Sequence, residues 1–275
     1  MCAKRSNKRL PSRELKWRNG GTKSQRLVRP EVDPNLEIER SGSTSIIRLN
    51  RPAKKNALTT KMFTEIGAAL KAEQANGATA VVLTGGTEIF SAGADLETIG
   101  HGAKDIEIDD VISELIAAIS GLPIPVIAAI EGACIGAALE IALSCDVRVA
   151  SRTSSFSIPV VRLGILYRPE GIVNILANVG KATATRLLVL GERISGADAV
   201  LAGIASHVVE PKSALDQALK LALLAEENIP AAVSATKKLL LELNSSKVDL
   251  SDFDQVRSEL LSSPARLKAI ADLQA

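Results

Sequence analysis

A chain of 275 residues, 46% hydrophobic and 23% charged, has ample apolar material for one globular core with an appendage. Aromatic residues make up only 2%, so the core must be built from Ala, Val, Ile and Leu, and few rings remain to stack on nucleic-acid bases. The net charge of +2 hides an asymmetry: residues 1–30 carry ten Lys or Arg against Glu14, and removing these from the totals of 33 and 31 leaves 23 basic and 30 acidic residues, a net −7.

Residues 1–34 form a basic arm, with Ser and Asn but without apolar periodicity. It is expected to be a solvated, disordered tail. The same composition also suits a nucleic-acid or membrane-surface contact, or an organelle transit segment.

Leu36–Arg40 alternates apolar with polar residues and Ser45–Leu49 is mostly apolar; Ser41-Gly-Ser-Thr44 between them predicts a hairpin. Thr59 can cap a helix that puts Met62, Ile66 and Leu70 on one face and ends near Asn76-Gly77. A buried strand, Ala80–Thr84, follows. After a glycine-containing loop and an acidic segment come a helix near Val111–Ser120 and a second buried strand, Val126–Ile130.

Gly132–Ser144 reads as loop and helix, Val147–Ala150 as strand, and Phe156–Pro159 as a short strand. From Ala182 onward the pattern is helical, near 182–190, 196–201, 213–226, 229–243 and 252–260, with one short strand at Ser206–Val209. Alternating strands and helices followed by a helical run predict an α/β core, residues 35–210, with a C-terminal helical lobe, residues 211–275.

Cys2, Cys134 and Cys145 are odd in number and lack metal-ligand spacing, and no secretory signal precedes them; reduced thiols and a cytoplasmic protein are expected. Pro125–Cys145 is the most membrane-like stretch, but Glu131 and Glu140 interrupt it, so no membrane span is expected. Walker and dinucleotide glycine motifs are lacking, as is zinc spacing, and Ser91 has no assignable histidine partner for a hydrolase triad.

Three segments carry the chemistry: Leu49-Asn-Arg-Pro-Ala-Lys-Lys-Asn-Ala-Leu58, Phe90-Ser-Ala-Gly-Ala-Asp-Leu96, and Ile124–Ala142 followed by Cys145-Asp146. With the later Gly191–Ile204 they are similar, in order and spacing, to the signature segments of the crotonase, or enoyl-CoA hydratase/isomerase, superfamily. The resemblance covers roughly residues 35–245. It implies a spiral of repeated ββα units, assembly of the C-terminal helices into trimers or dimers of trimers, and an acyl-CoA substrate with no prosthetic group.

Thioester chemistry of this kind passes through an enolate, whose oxygen needs donors already in place. The resemblance assigns that role to the backbone N–H groups of Ala94 and Ala137. Gly93 is free to take the turn that presents the first, and Gly136 precedes the second at a helix start, where N–H groups lack partners and the dipole favours an anion. Glu140, one turn on, matches the family's general acid or base, and an unpaired acid between Leu139 and Ile141 has no cheap structural explanation. Lys54, Lys55 and Ala92 match contacts to coenzyme A.

The chain departs from the pattern at Val160, which stands where hydratases of the family carry a second glutamate after Pro159. Hydration requires one group to activate water and one to protonate the α-carbon. Glu170 and His101 are candidate replacements, although Glu170 after Pro169 also reads as a helix start. Two functions follow: a lyase or isomerase working with the single Glu140, or an acyl-CoA binding protein that has lost turnover with the second carboxylate.

Overall fold

The computed structural model describes residues 34–95, 97, 106–243 and 250–274. The basic arm through residue 33, including Cys2, lies outside the described residues, and so does His101.

The hairpin forms as expected, β1 (Leu36–Ser41) pairing antiparallel with β2 (Thr44–Leu49). Thr59 caps α1 (Thr60–Ala75) by accepting from Met62 N at 3.2 Å. The chain then runs through β3 (Ala80–Thr84), α2 (Ile106–Ser120), β4 (Val126–Ile130), the three-residue β5 (Ala133–Ile135), α3 (Ala137–Ser144), β6 (Val147–Ser151) and β7 (Ser155–Ser157). There follow α4 (Pro169–Leu188), β8 (Ile194–Ser195), β9 (His207–Val209), α5 (Ala214–Glu226), α6 (Pro230–Leu243), α7 (Ser251–Leu261) and α8 (Pro264–Gln274).

A six-stranded sheet runs β1-β2-β3-β4-β6-β9, parallel after the first pair, and a smaller one runs β5-β7-β8. β3 and β4 are buried along their whole length, which is why they read as unbroken apolar runs. Their alternate residues serve two cores. Ile47, Val81, Leu83, Ala128 and Ile130 face α1, α2 and α3; Ile46, Ala80, Val82, Ile127 and Ala129 face Ala214, Ala218 and Ala222 of α5. Buried Glu131 accepts from Ala214 N at 3.0 Å and so anchors the start of α5.

Two stretches of the second half differ from expectation. Residues 196–201 form turns instead of a helix: Gly196 N donates to Ser154 O at 2.6 Å, and a Cβ there would stand 2.1 Å from Ser151 O, so backbone contact fixes the chain. Helix α4 starts at Pro169, thirteen residues before the expected helix, and breaks at Gly180 (φ 70°, ψ 168°), which obscures its periodicity. Beyond α7, α8 adds a helix to the C-terminal lobe past the last segment delimited there, 252–260.

Cys134 and Cys145 are free and buried. Among the described residues no helix is long and apolar enough to cross a membrane.

Candidate active site

Asn56 organises the first segment. At φ 51° and buried, it accepts from Arg51 N at 2.8 Å and donates through its amide to Gly85 O, Ile89 O and Phe90 O at 2.9, 3.1 and 3.2 Å. Asn tolerates this left-handed backbone because its short polar side chain bonds locally. Ser91 donates its hydroxyl to Asn56 O at 2.7 Å and accepts from Gly93 N at 3.1 Å, a structural role and not a nucleophile's.

The 91–95 segment is clipped on both sides. Leu58 N donates to Gly93 O and Asp95 N to Leu58 O, each at 2.8 Å, while Ile135 N donates to Ser91 O at 3.1 Å. In this parallel bridge the N–H of the intervening Ala94 points away from Leu58. Gly93, at φ +95°, passes so near β5 that a Cβ on it would lie 2.6 Å from Ile135 O and 3.7 Å from Ala137 N.

Gly136 (φ 58°, ψ −126°) turns the chain into α3, so Ala137 is the first helical residue. Its N–H has no intrahelical acceptor. Among the described residues neither Ala94 N nor Ala137 N donates to a protein acceptor. Two free amides therefore flank the Gly93–Ile135 contact.

Glu140 is wholly buried in the first turn of α3. The Tyr167 hydroxyl donates to Glu140 Oε2 at 2.6 Å, and the Arg168 guanidinium donates to Oε1 through Nη2. Arg168 Nη1 also donates to Ser113 Oγ of α2 at 2.5 Å, whereas its buried Nε has no partner among the described residues. Behind the helix, Ser144 Oγ donates to Glu140 O and receives Asn174 Nδ2, both at 2.9 Å.

Burial pushes the Glu140 carboxyl above the ordinary carboxylate range; the Tyr167 hydrogen bond, the Arg168 charge and Asn174 pull the other way. Burial, and then the Glu140 charge, raise the Tyr167 phenol well above its usual value. The cation and the phenol make a buried carboxylate tolerable.

Val160 begins a 3-10 turn, Val160–Leu163, and packs half-buried on the main core. Glu170 is exposed on the first turn of α4, where a carboxylate complements the helix N-terminus, and it is not among the groups bonded to Glu140. Ala92 N donates to Lys55 O at 3.0 Å, and Lys54 pairs with Glu97 at the exposed rim, so these three residues border the same loop. Arg51 Nη1 holds Asp95 Oδ2 at 2.5 Å and Ala57 O at 3.1 Å beneath them. Among the described residues no group of His, Cys, Asp or Glu is arranged to hold a metal.

Sequence reasoning passed over Tyr167, Arg168, Asn56 and the Arg51–Asp95 pair. The lone tyrosine of an aromatic-poor chain, followed by arginine just ahead of a helix-starting proline, was the available signal for the first two.

The site is thus a pair of unbonded backbone N–H groups, with a buried carboxylate one helical turn beyond the second. Residues 39–266 match the family model described as enoyl-CoA hydratase/isomerase, and the chain belongs to that family, within the crotonase superfamily. It is 33% identical to the 2,3-dehydroadipyl-CoA hydratase of Escherichia coli (strain K12) over 206 residues, 74% of this chain and 81% of that one. It is 35% identical to a probable enoyl-CoA hydratase of Rhizobium meliloti (strain 1021), over 73% of this chain and 79% of the relative. Among solved structures, an enoyl-CoA hydratase/carnithine racemase from Magnetospirillum magneticum superposes with a TM-score of 0.82 at 25% identity, covering 88% of this chain and 93% of that one.

Proposed function

We propose that the protein moves a proton at the α-carbon of an enoyl-CoA thioester, with the thioester oxygen held by Ala94 N–H and Ala137 N–H and with Glu140 as the single carboxylate that takes up the proton. The observation that carries this reading is the placement of Glu140 one helical turn after Ala137, whose free amide lies beside the Gly93–Ala94 turn. Oxyanion donors of this kind are worth about 3 kcal/mol each in the transition state.

Hydration and a double-bond shift share this enolate step. Val160 removes the second carboxylate of a two-glutamate hydratase, so both outcomes fall to Glu140 and the groups bonded to it. Lys54, Lys55 and Ala92 would contact the coenzyme A portion of the substrate, which enters as substrate and not as a resident cofactor.

Assembly as a trimer or dimer of trimers belongs to the same reading. Large apolar side chains left in solvent, Leu166 at 82% and Leu201 at 92% exposure, support a surface covered by further copies. The reduced, buried Cys134 and Cys145 support a cytoplasmic setting.

The test is turnover of crotonyl-CoA and of a 3-enoyl-CoA beside calorimetry with an acyl-CoA. The expected result is turnover of at least one thioester, abolished by Glu140→Gln with binding retained. Tight binding without turnover, at any pH, would instead identify a binding protein.

A further inference from the structure

Glu140 cannot meet a substrate directly as it stands. Its carboxylate is at 0% exposure, and both oxygens are engaged, Oε1 by Arg168 and Oε2 by Tyr167. Arg168 is itself buried, at 4% side-chain exposure, and braced on Ser113 of α2. Of the three residues, Tyr167 alone is partly exposed. Its hydroxyl is joined to the carboxylate at 2.6 Å, so Tyr167 is the member of the cluster that links Glu140 to a less buried position.

Resting on the reading above, we infer that Tyr167 is the group that exchanges protons with the substrate, Glu140 being the reservoir behind it and Arg168 the residue that positions the reservoir. In the forward step the Cα–H bond breaks and its proton passes to the Tyr167 oxygen while the Tyr167 proton passes to Glu140 Oε2. The C–H electron pair moves into the thioester, leaving the enolate oxygen on the Ala94 and Ala137 amides. The reverse transfer returns the proton to the α-carbon, or to the γ-carbon when the double bond shifts, and restores the phenol and the carboxylate. No charge is created on Tyr167, and the double-bond shift requires no second carboxylate.

The surroundings agree with a relay and disfavour a resting tyrosinate. The charged groups that bear on the phenol are Glu140 of α3, Arg168 at the head of α4 and Asp109 of α2, and burial with the two carboxylates keeps it protonated. A phenol that stays neutral can accept a proton only while it passes its own on, and Glu140 Oε2 is at hydrogen-bond distance to take it.

Gly171 fits the same scheme. A Cβ there would stand 2.7 Å from Tyr167 Cε1 and 2.9 Å from Glu140 Oε1, so the first turn of α4 closes on the pair only because the residue has no side chain.

The experiment uses a property of this chain: Tyr167 is its single tyrosine, so growth on fluorotyrosines alters that phenol alone. For the full-length protein, Tyr167→Phe and a series of fluorotyrosine forms of graded acidity, three quantities are measured: turnover of crotonyl-CoA and a 3-enoyl-CoA, exchange of the α-protons of butyryl-CoA with deuterium oxide, and butyryl-CoA affinity. Tyr167→Phe keeps the ring and the fold and is expected to lose about 100-fold or more in exchange and turnover with affinity unchanged. The fluorinated forms keep the hydrogen bond and are expected to change rate in step with phenol acidity.

Exchange and turnover of Tyr167→Phe within a few-fold of wild type would overturn the inference. So would a fall in Tyr167→Phe paired with flat rates across the fluorinated series, since that marks a packing role. A wild-type protein that neither exchanges nor turns over any of the thioesters would overturn the underlying reading as well, and its own rates tell that failure apart from the failure of Tyr167 alone.

Discussion

Gly93 lies against Ile135 so closely that a Cβ on Gly93 would stand 2.6 Å from the Ile135 carbonyl oxygen. That approach, made at φ +95°, brings the turn carrying the Ala94 amide beside Ala137 N. Gly93→Ala adds both the clash and backbone strain of about 1–3 kcal/mol, because L side chains rarely adopt such a φ. Turnover is expected to fall about 100-fold with a smaller change in acyl-CoA affinity, as for loss of one oxyanion donor. Wild-type turnover in this variant would show that the Ala94 amide takes no part.

The pH dependence of the reaction is tied to Glu140. Burial holds its carboxyl above the ordinary 4.5, so kcat/KM is expected to rise with pH through an apparent value above 4.5. Arg168 opposes burial by favouring the charged carboxylate. Arg168→Gln removes that help, which moves the limb to higher pH, and breaking the buried pair costs about 3–5 kcal/mol of stability. A limb that stays in place in Arg168→Gln would assign it to another group.

How the site was legible follows from what each residue owes to local pattern. Strands β3 and β4 are buried on both faces and bounded by turn residues, so period and length gave them away. Gly93, Ala94, Gly136, Ala137 and Glu140 fall within the segments that resemble the family's signatures, and their spacing puts Glu140 a turn beyond Ala137. Tyr167 and Arg168 could not be found this way: they lie 27 and 28 residues beyond Glu140, and only the packing of α4 on α3 brings them to its carboxylate. The break at Gly180 hides that helix in the sequence, and a phenol carries no spacing signal comparable to that of Glu140 on α3.

The Arg51–Asp95 pair secures the loop beneath the site and makes an acid-stability prediction. Arg51 holds the Asp95 carboxyl below its ordinary 3.8. Between the folded value and 3.8 the unfolded chain binds more protons, so stability rises with pH through that interval. The stabilisation is whole above 3.8 and is lost as pH falls through the folded value. Asp95→Asn lacks it and is expected to lose about 2 kcal/mol at pH 7, the worth of a charged hydrogen bond. Urea midpoints of the two proteins should converge as pH drops below about 4; a gap that stays constant into acid would rule out the ion pair as its source.

Gly171→Ala sets two effects against each other. In an ordinary helix the change is favourable by about 1 kcal/mol, so propensity alone predicts a more stable protein. Here the added Cβ would meet Tyr167 Cε1 at 2.7 Å and the Glu140 carboxylate oxygens at 2.9 and 3.0 Å, all parts of a buried cluster with little room to yield. The clash should win: a melting temperature no higher than wild type, kcat lowered at least about tenfold, and KM nearly unchanged, since the displaced groups are those that move the proton. A crystal structure of the variant should show the Tyr167–Glu140 distance stretched beyond the hydrogen-bonding limit of about 3 Å for O–H donors. A stabilised, fully active Gly171→Ala would mean that α4 can shift without disturbing Glu140, and that the 2.6 Å contact is not required for catalysis.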